Sequence, residues 1–152
     1  MHKHLSRLER VWIDAPVYFI TTCTNRRTAR LACATVAAVL VDEWKGAQSR
    51  HGWMIGRYVV MPDHVHFFCA AAHDDAKPLS AFMKNWKEWT SKRIKRQFHL
   101  TDALWQEEFF DHVLRSSEGY TQKWEYVRAN PVRAGLVTEP DDWPWQGEIE
   151  EL

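Results

Sequence analysis

Runs of alternating and helically spaced apolar positions divide this chain into successive elements. Val17-Tyr18-Phe19-Ile20-Thr21-Thr22-Cys23-Thr24 is β-branched and aromatic and is bounded by Pro16 and Asn25, which predicts a first strand. Val36, Val39, Leu40 and Trp44 recur at helical spacing, which predicts a helix over about 32–50 with Gly52 as its stop. Residues 53–61 predict a second strand and 64–71 a third, and the Met61-Pro62-Asp63 connection is short enough to make the pair an antiparallel hairpin. Leu79, Phe82, Met83, Trp86 and Trp89 form the apolar stripe of a second helix over about 79–98. Leu104-Trp105-Gln106 reads as a short extended piece and 109–115 as a fourth strand. Ser116 or Ser117 then caps a third helix, with Glu118 in its first turn and an end near Asn130, before Pro131. Strand, helix, strand, strand, helix, strand, helix is the order of a ferredoxin-like α+β domain: an antiparallel sheet with helices on one face and an extra C-terminal helix, which here carries Tyr126. With no internal repeat or low-complexity tract, residues 1–152 are expected to form a single domain.

Composition adds limits. Hydrophobic residues make up 45% and charged residues 26% of the 152, values of an ordinary globular protein. No apolar run reaches membrane-spanning length and no charged-then-apolar leader opens the chain, so a cytoplasmic protein without a membrane partner is expected. Cys23, Cys33 and Cys69 lack C-x-x-C spacing and are expected to be buried free thiols rather than a disulfide framework or a thiolate zinc site. The formal net charge is zero, which by itself speaks against a phosphate-binding protein. Its distribution changes that picture. Lys84, Lys87, Lys92, Arg93, Lys95 and Arg96 cluster on the second helix against Glu88 alone, whereas Glu139, Asp141, Asp142, Glu148, Glu150 and Glu151 gather at the C-terminal end. A strongly positive face is compatible with a neutral total. The segment 3–10 is also basic. Most of the nine tryptophans are expected in the core, with some left as stacking surfaces for bases.

The candidate chemistry sits on the third strand and the third helix. Strand alternation puts His64 and His66 on one side and Val65 and Phe67 on the other. Alone, His-x-His describes two half-buried strand histidines as well as a metal clamp. On the third helix Tyr120, Trp124 and Val127 make the core stripe, and at about 100° per residue Tyr126 lies roughly 120° away from it. Asn130, four residues on, shares its flank. The plain reading is a solvent-facing Tyr beside a helix-ending Asn. Together with the histidines the pair suggests more: a hydroxyl nucleophile attacking a phosphodiester needs charge neutralisation, which a divalent ion held by imidazoles and one oxygen ligand provides.

These residues carry a resemblance. Tyr18-Phe19-Ile20-Thr21-Thr22 with Asn25-Arg26-Arg27, then Tyr58 through His66, Trp105-Gln106, Phe110-Asp111-His112-Val113-Leu114-Arg115, and Glu125 through Val137 with its Asn130-Pro131-Val132-Arg133-Ala134-Gly135 core resemble, in order, the signatures of the REP-associated tyrosine transposases, a branch of the single-tyrosine HUH transposases. Trp143-Pro144-Trp145 resembles a tail motif of the group. The resemblance implies that His64 and His66 bind Mg²⁺ or Mn²⁺, that Asn130 is the third ligand, and that Tyr126 forms a 5′-phosphotyrosine with single-stranded DNA near REP-type hairpins. The short acidic tail and neutral charge depart from some relatives, which bears on affinity and target choice.

Arg26, Arg27, Lys87, Arg93 and Arg96 are the candidate contacts to the DNA backbone, and His112 is either a phosphate contact, a support for the ligands or a structural hydrogen-bonding residue. Tyr120 is the rival nucleophile, set back by its place on the core stripe, and Tyr18 and Tyr58 are expected to pack. Three rival functions remain open at this point: an HUH replication initiator or relaxase, a catalytically silent DNA-binding module, and a metal hydrolase of small substrates. Monomer and homodimer are equally compatible with the sequence.

Overall fold

The computed structural model describes residues 16–152, so the basic segment 3–10 lies outside the described residues. Five strands, β1 (Val17–Cys23), β2 (Trp53–Val60), β3 (His64–Ala71), β4 (Phe110–Leu114) and β5 (Gln146–Glu148), form one sheet in the order β4-β1-β3-β2-β5. Each pair of neighbouring strands runs antiparallel. The first four strands have the ferredoxin-like order expected, and β5 is an addition that the sequence pattern missed. Its Gln146-Gly147-Glu148 has no apolar alternation; it is a strand because main-chain bonds to the edge of β2 hold it there.

Helices α1 (Ala34–Lys45), α2 (Ala47–His51) and α3 (Leu79–Phe98) accompany the sheet, followed by α4 (Ser117–Arg128) and the short α5 (Asn130–Arg133). The single helix expected over 32–50 is in fact α1 and α2, interrupted at Gly46 and closed by Gly52 in the left-handed conformation at φ 78°. The third helix ends at Arg128, before Pro131 as expected, and the short α5 follows from Asn130 with Pro131 in its first turn, where a missing N–H costs nothing.

Because β1 and β3 are central, both faces of each are buried, and two cores result. Ile20, Val65, Phe67 and Cys69 pack with Leu40, Trp44, Phe82, Met83 and Trp86 of α1 and α3. On the other face Phe19, Phe68 and Ala70 pack with Tyr120, Trp124 and Val127 of α4 and with Trp143. Strand parity therefore puts His64 and His66 on the face that α4 covers. Among the described residues the tryptophans mostly fill these cores; Trp89 is the exception, half exposed beneath Lys92. Cys23 and Cys69 are buried free thiols as expected, whereas Cys33, at the start of α1, is only half-buried.

A bulge in β2 between Ile55 and Tyr58 lets α4 approach. A Cβ on Gly56 would come within 2.7 Å of the Tyr120 hydroxyl oxygen, so a side chain there would push α4 off the sheet. The tail closes over the same region: Trp143 donates its indole N–H to the Val60 carbonyl at 3.0 Å, and the Trp145 carbonyl accepts from the Val60 N–H at 2.8 Å. The acidic end is folded back as well, with Glu148 3.6 Å from Arg57 and Asp141 paired with Arg128.

Candidate active site

His64 and His66 are held by an anchored turn and a central strand. The Pro62 carbonyl accepts from the N–H groups of Arg30 and Leu31, the Asp63 carbonyl from the Thr24 N–H and hydroxyl, and the Met61 N–H reaches the His64 carbonyl at 2.8 Å. The two imidazole centroids stand 4.8 Å apart with their planes at 80°. His64 Nδ1 lies 2.8 Å from Asp63 Oδ1, and His66 Nδ1 lies 2.8 Å from the Thr21 hydroxyl. A carboxylate only accepts, so His64 donates Nδ1–H to it; the approach of Arg27 Nη2 to the same nitrogen, at 3.4 Å, is too long to compete. With Nδ1 of each ring engaged, each Nε2 is left for a ligand bond, the arrangement in which outer partners orient imidazoles on a metal.

Burial pushes the His66 pKa down to about 3, and His64, Lys123 and Arg133 add to the effect. His66 is thus a neutral imidazole at neutral pH, the protonation state that a ligand needs. The folded-state value lies below the unfolded one, so stability is intact above about pH 6.5 and falls as pH drops toward 3, where the folded protein also takes up the proton. His66→Gln should therefore flatten the loss of unfolding free energy across that window in cation-free protein, as read by denaturant melts. Asp63 contributes to the remaining acid loss: burial opposes its ionisation, but hydrogen bonds with His64 and Arg27 outweigh it and hold the carboxyl below its ordinary range.

The tyrosine helix lies over this face. Ser116 caps it by accepting from the Gly119 N–H at 3.0 Å, and Tyr120, Trp124 and Val127 are buried. Tyr126 is 63% exposed. The flank it occupies also carries Lys123, one turn earlier, whose ammonium lies 4.8 Å over the Phe19 ring. Phe19 in turn stacks on His66 at 5.2 Å. Arg133 joins the other two members: its guanidinium lies 4.0 Å over the Tyr126 ring, donates to the Tyr126 carbonyl at 2.8 Å, and donates to Asn130 Oδ1. Tyr120, by contrast, stacks on Phe68 at 4.4 Å, its hydroxyl accepts from the Arg57 N–H at 3.3 Å, and burial raises its pKa to about 12. Lys123 and Arg133 were not among the residues singled out from the sequence; their spacing of three from Tyr126 and Asn130 was the available signal.

The remaining candidates separate by location. Arg26 and Arg27 form the turn after β1, and both adopt left-handed backbone, at φ 57° and 54°. That conformation disfavours a non-glycine residue by roughly 1–2 kcal/mol, so these positions carry arginine at a conformational cost. Arg27 is tied to Asp63 at 3.0 Å, beside His64, and Arg26 is exposed. Phe19 pairs with His112 across the β1–β4 ladder, which places exposed His112 on the histidine face. The three α3 candidates lie on the helix that packs against the opposite face. Lys87 donates to the carbonyls of Gln106, Glu107 and Glu108 at 2.8, 3.0 and 2.7 Å, and burial draws its pKa down to about 8. Arg93 is paired with Asp42 at 2.6 Å and Glu43 at 2.8 Å. Arg96 is exposed beside it. Lys87 and Arg93 therefore hold the fold together rather than standing free for a ligand.

Among the described residues no three His, Cys, Asp or Glu side chains cluster as a metal site, and an amide oxygen is a potential ligand of another type. Asn130 is of such a type, and its amide oxygen has two lone pairs, enough to keep Arg133 and still bind an ion.

The antiparallel sheet thus carries paired histidines on the face that the tyrosine-bearing helix covers. Residues 15–129 match the family described as Transposase IS200 like, and the chain belongs to that family. It is 27% identical over 144 residues to the REP-associated tyrosine transposase of Escherichia coli K12, covering 93% of this chain and 81% of that protein. A solved structure of the REP-associated tyrosine transposase bound to a REP hairpin superposes with a TM-score of 0.70 at 25% identity, over 86% of this chain and 75% of that one. The family resemblance, the α+β fold and the enzyme class expected from the sequence stand on these matches. Among the described residues no helix is long and apolar enough to cross a membrane.

Proposed function

We propose that this protein is a cation-dependent, sequence-specific single-stranded DNA endonuclease and strand transferase acting beside REP-type hairpins. The observation that supports the reading is the link from Lys123 through Phe19 to His66, since Lys123 precedes Tyr126 by one turn on the same helix. His64 and His66 through Nε2, with Asn130 through Oδ1, would hold Mg²⁺ or Mn²⁺, which when bound neutralises charge on the scissile phosphate.

Tyr126 supplies the nucleophile. Its phenolic oxygen bonds to phosphorus, the bond from phosphorus to the 3′ oxygen breaks, and the 3′-hydroxyl leaves with a proton, so a 5′-phosphotyrosine remains. Attack of a 3′-hydroxyl on that ester reverses the exchange and rejoins strands. Arg133 fixes the ring and the amide together, while Lys123 adds positive charge where the phosphate must sit. Arg26 and Arg27 extend the positive rim past His64 and contact the DNA backbone.

Incubation with labelled single strands flanking a REP-type hairpin and Mn²⁺ should give a denaturation-resistant protein–DNA adduct, lost on chelation. Hairpin binding without any adduct would instead identify a silent binding module. Arg26→Gly tests the rim without confusing it with backbone strain, since glycine accepts φ 57° freely. It should lower the magnitude of the salt-dependence slope by about 0.7 for single-stranded DNA. Arg93→Gln, on the other side of the sheet, should leave that slope unchanged.

A further inference from the structure

Phe110 is 64% exposed on an edge strand and belongs to neither core. An exposed edge phenylalanine is an association hazard with no folding benefit, so its position asks for an occupant. The ladder registers locate it. Phe110 stands opposite Thr21 on β1, and Thr21 stands opposite His66 on β3. Residues directly opposite share a sheet face, and the Thr21 hydroxyl's contact with His66 Nδ1 shows which face that is. Phe110, Thr21 and His66 therefore form one row across three neighbouring strands, and two strand spacings separate the outer pair by about 10 Å. One row along, His112, Phe19 and Phe68 repeat the pattern, with α4 packed over Phe68 and Lys123 over Phe19. Over these two rows the helix cover stops at β1, although Leu114 farther along β4 is buried under it, and Phe110 and His112 are left bare beside the cationic site.

We propose that Phe110 is a stacking platform for one base of single-stranded DNA, within a nucleotide or two of the phosphate held at His64 and His66. This rests on the proposed function for its polarity, but not on cleavage. The charge around it argues for a nucleic-acid base over a protein side chain: Lys123, Arg133 and Arg27 lie around the histidines, while an aromatic ring with no charge preference stands two strand spacings from His66, the combination that single-strand binders use for backbone and base. Core packing does not require an exposed ring at this position.

The test is a coupling measurement on the full chain without divalent cation, so that no strand is cut. Wild type, Phe110→Ala, Phe110→Leu and Phe110→Trp are titrated with hairpin-flanked single strands, each carrying an abasic site at a different position. Phe110→Ala and Phe110→Leu should weaken binding of the intact strand by about 5- to 150-fold, and Phe110→Trp should retain it. That penalty should vanish for the strand abasic at one position and persist for the others. Equal binding by all variants, or a penalty that no abasic position removes, overturns the proposal. So does a change confined to the sedimentation behaviour of Phe110→Ala, which would make Phe110 a contact between copies of this chain. If wild type yields no adduct with Mn²⁺ but the coupling is present, the platform stands and the strand-transfer chemistry does not.

Discussion

Tyr126→Phe is expected to abolish the covalent adduct while leaving melting temperature and hairpin affinity at wild-type values. The side chain is 63% exposed, and among the described residues no hydrogen bond holds its hydroxyl, so removing that oxygen leaves no buried group unsatisfied. Arg133 still has a ring to cover and a Tyr126 carbonyl to reach, both of which phenylalanine keeps. What disappears is the atom that bonds to phosphorus, and loss of a nucleophile costs on the order of 10⁶ in rate when no other group replaces it. Tyr120→Phe is the matched control with the opposite signature. That hydroxyl accepts from the Arg57 N–H in the α4–β2 contact, so its loss should destabilise the fold by about 1 kcal/mol and leave adduct formation in place. Measuring adduct yield on denaturing gels and thermal melts for both variants separates the roles; an adduct in Tyr126→Phe that disappears in Tyr120→Phe would exchange them.

The second large effect belongs to His66. Replacement by Ala should weaken Mn²⁺ binding more than about 100-fold and suppress the adduct at cation concentrations that saturate wild type. The bound follows from the supporting partners: changing a residue that merely orients a ligand costs about 10–100-fold in affinity, so loss of a ligand itself must exceed it. Thr21→Val provides the smaller step, because it removes the oxygen beside His66 Nδ1 while keeping the strand's β-branched shape. Asp63→Asn does the same at His64 and also loosens Arg27. Titration of Mn²⁺ without DNA orders the series as wild type, then Thr21→Val and Asp63→Asn, then His66→Ala. Wild-type affinity in His66→Ala would remove the histidines from the cation site.

The expected Mn²⁺ series turns on side chains 45 residues apart, Thr21 and His66, which the ladder between β1 and β3 brings into contact. Such pairs mark the boundary of what the chain discloses in linear form. Period and punctuation were enough for β3 and α3, whose ends fall at His64–Ala71 and Leu79–Phe98 as the pattern predicts, and for the Ser116 cap and the buried stripe of Tyr120, Trp124 and Val127. Strand alternation likewise put both imidazoles on one face, and helical periodicity turned Tyr126 away from the core. These are local consequences of backbone geometry and need no partner to be read.

Only the tertiary structure decided the rest. β5 exists because β2 offers an edge, which no periodicity in Gln146-Gly147-Glu148 announces. Lys87 and Arg93 read as a basic surface, yet three carbonyls and two carboxylates brought from distant segments engage them, and among the described residues Lys123 and Arg133 are cations whose charge reaches His66. The sequence by itself determined the first four strands, the faces of α3 and α4 and the residue types that can do phosphate chemistry; the packing of α4 over β1 and β3 decided which side chains meet there, because a charge acts on what lies within a few ångströms of it and not on what stands next in the chain.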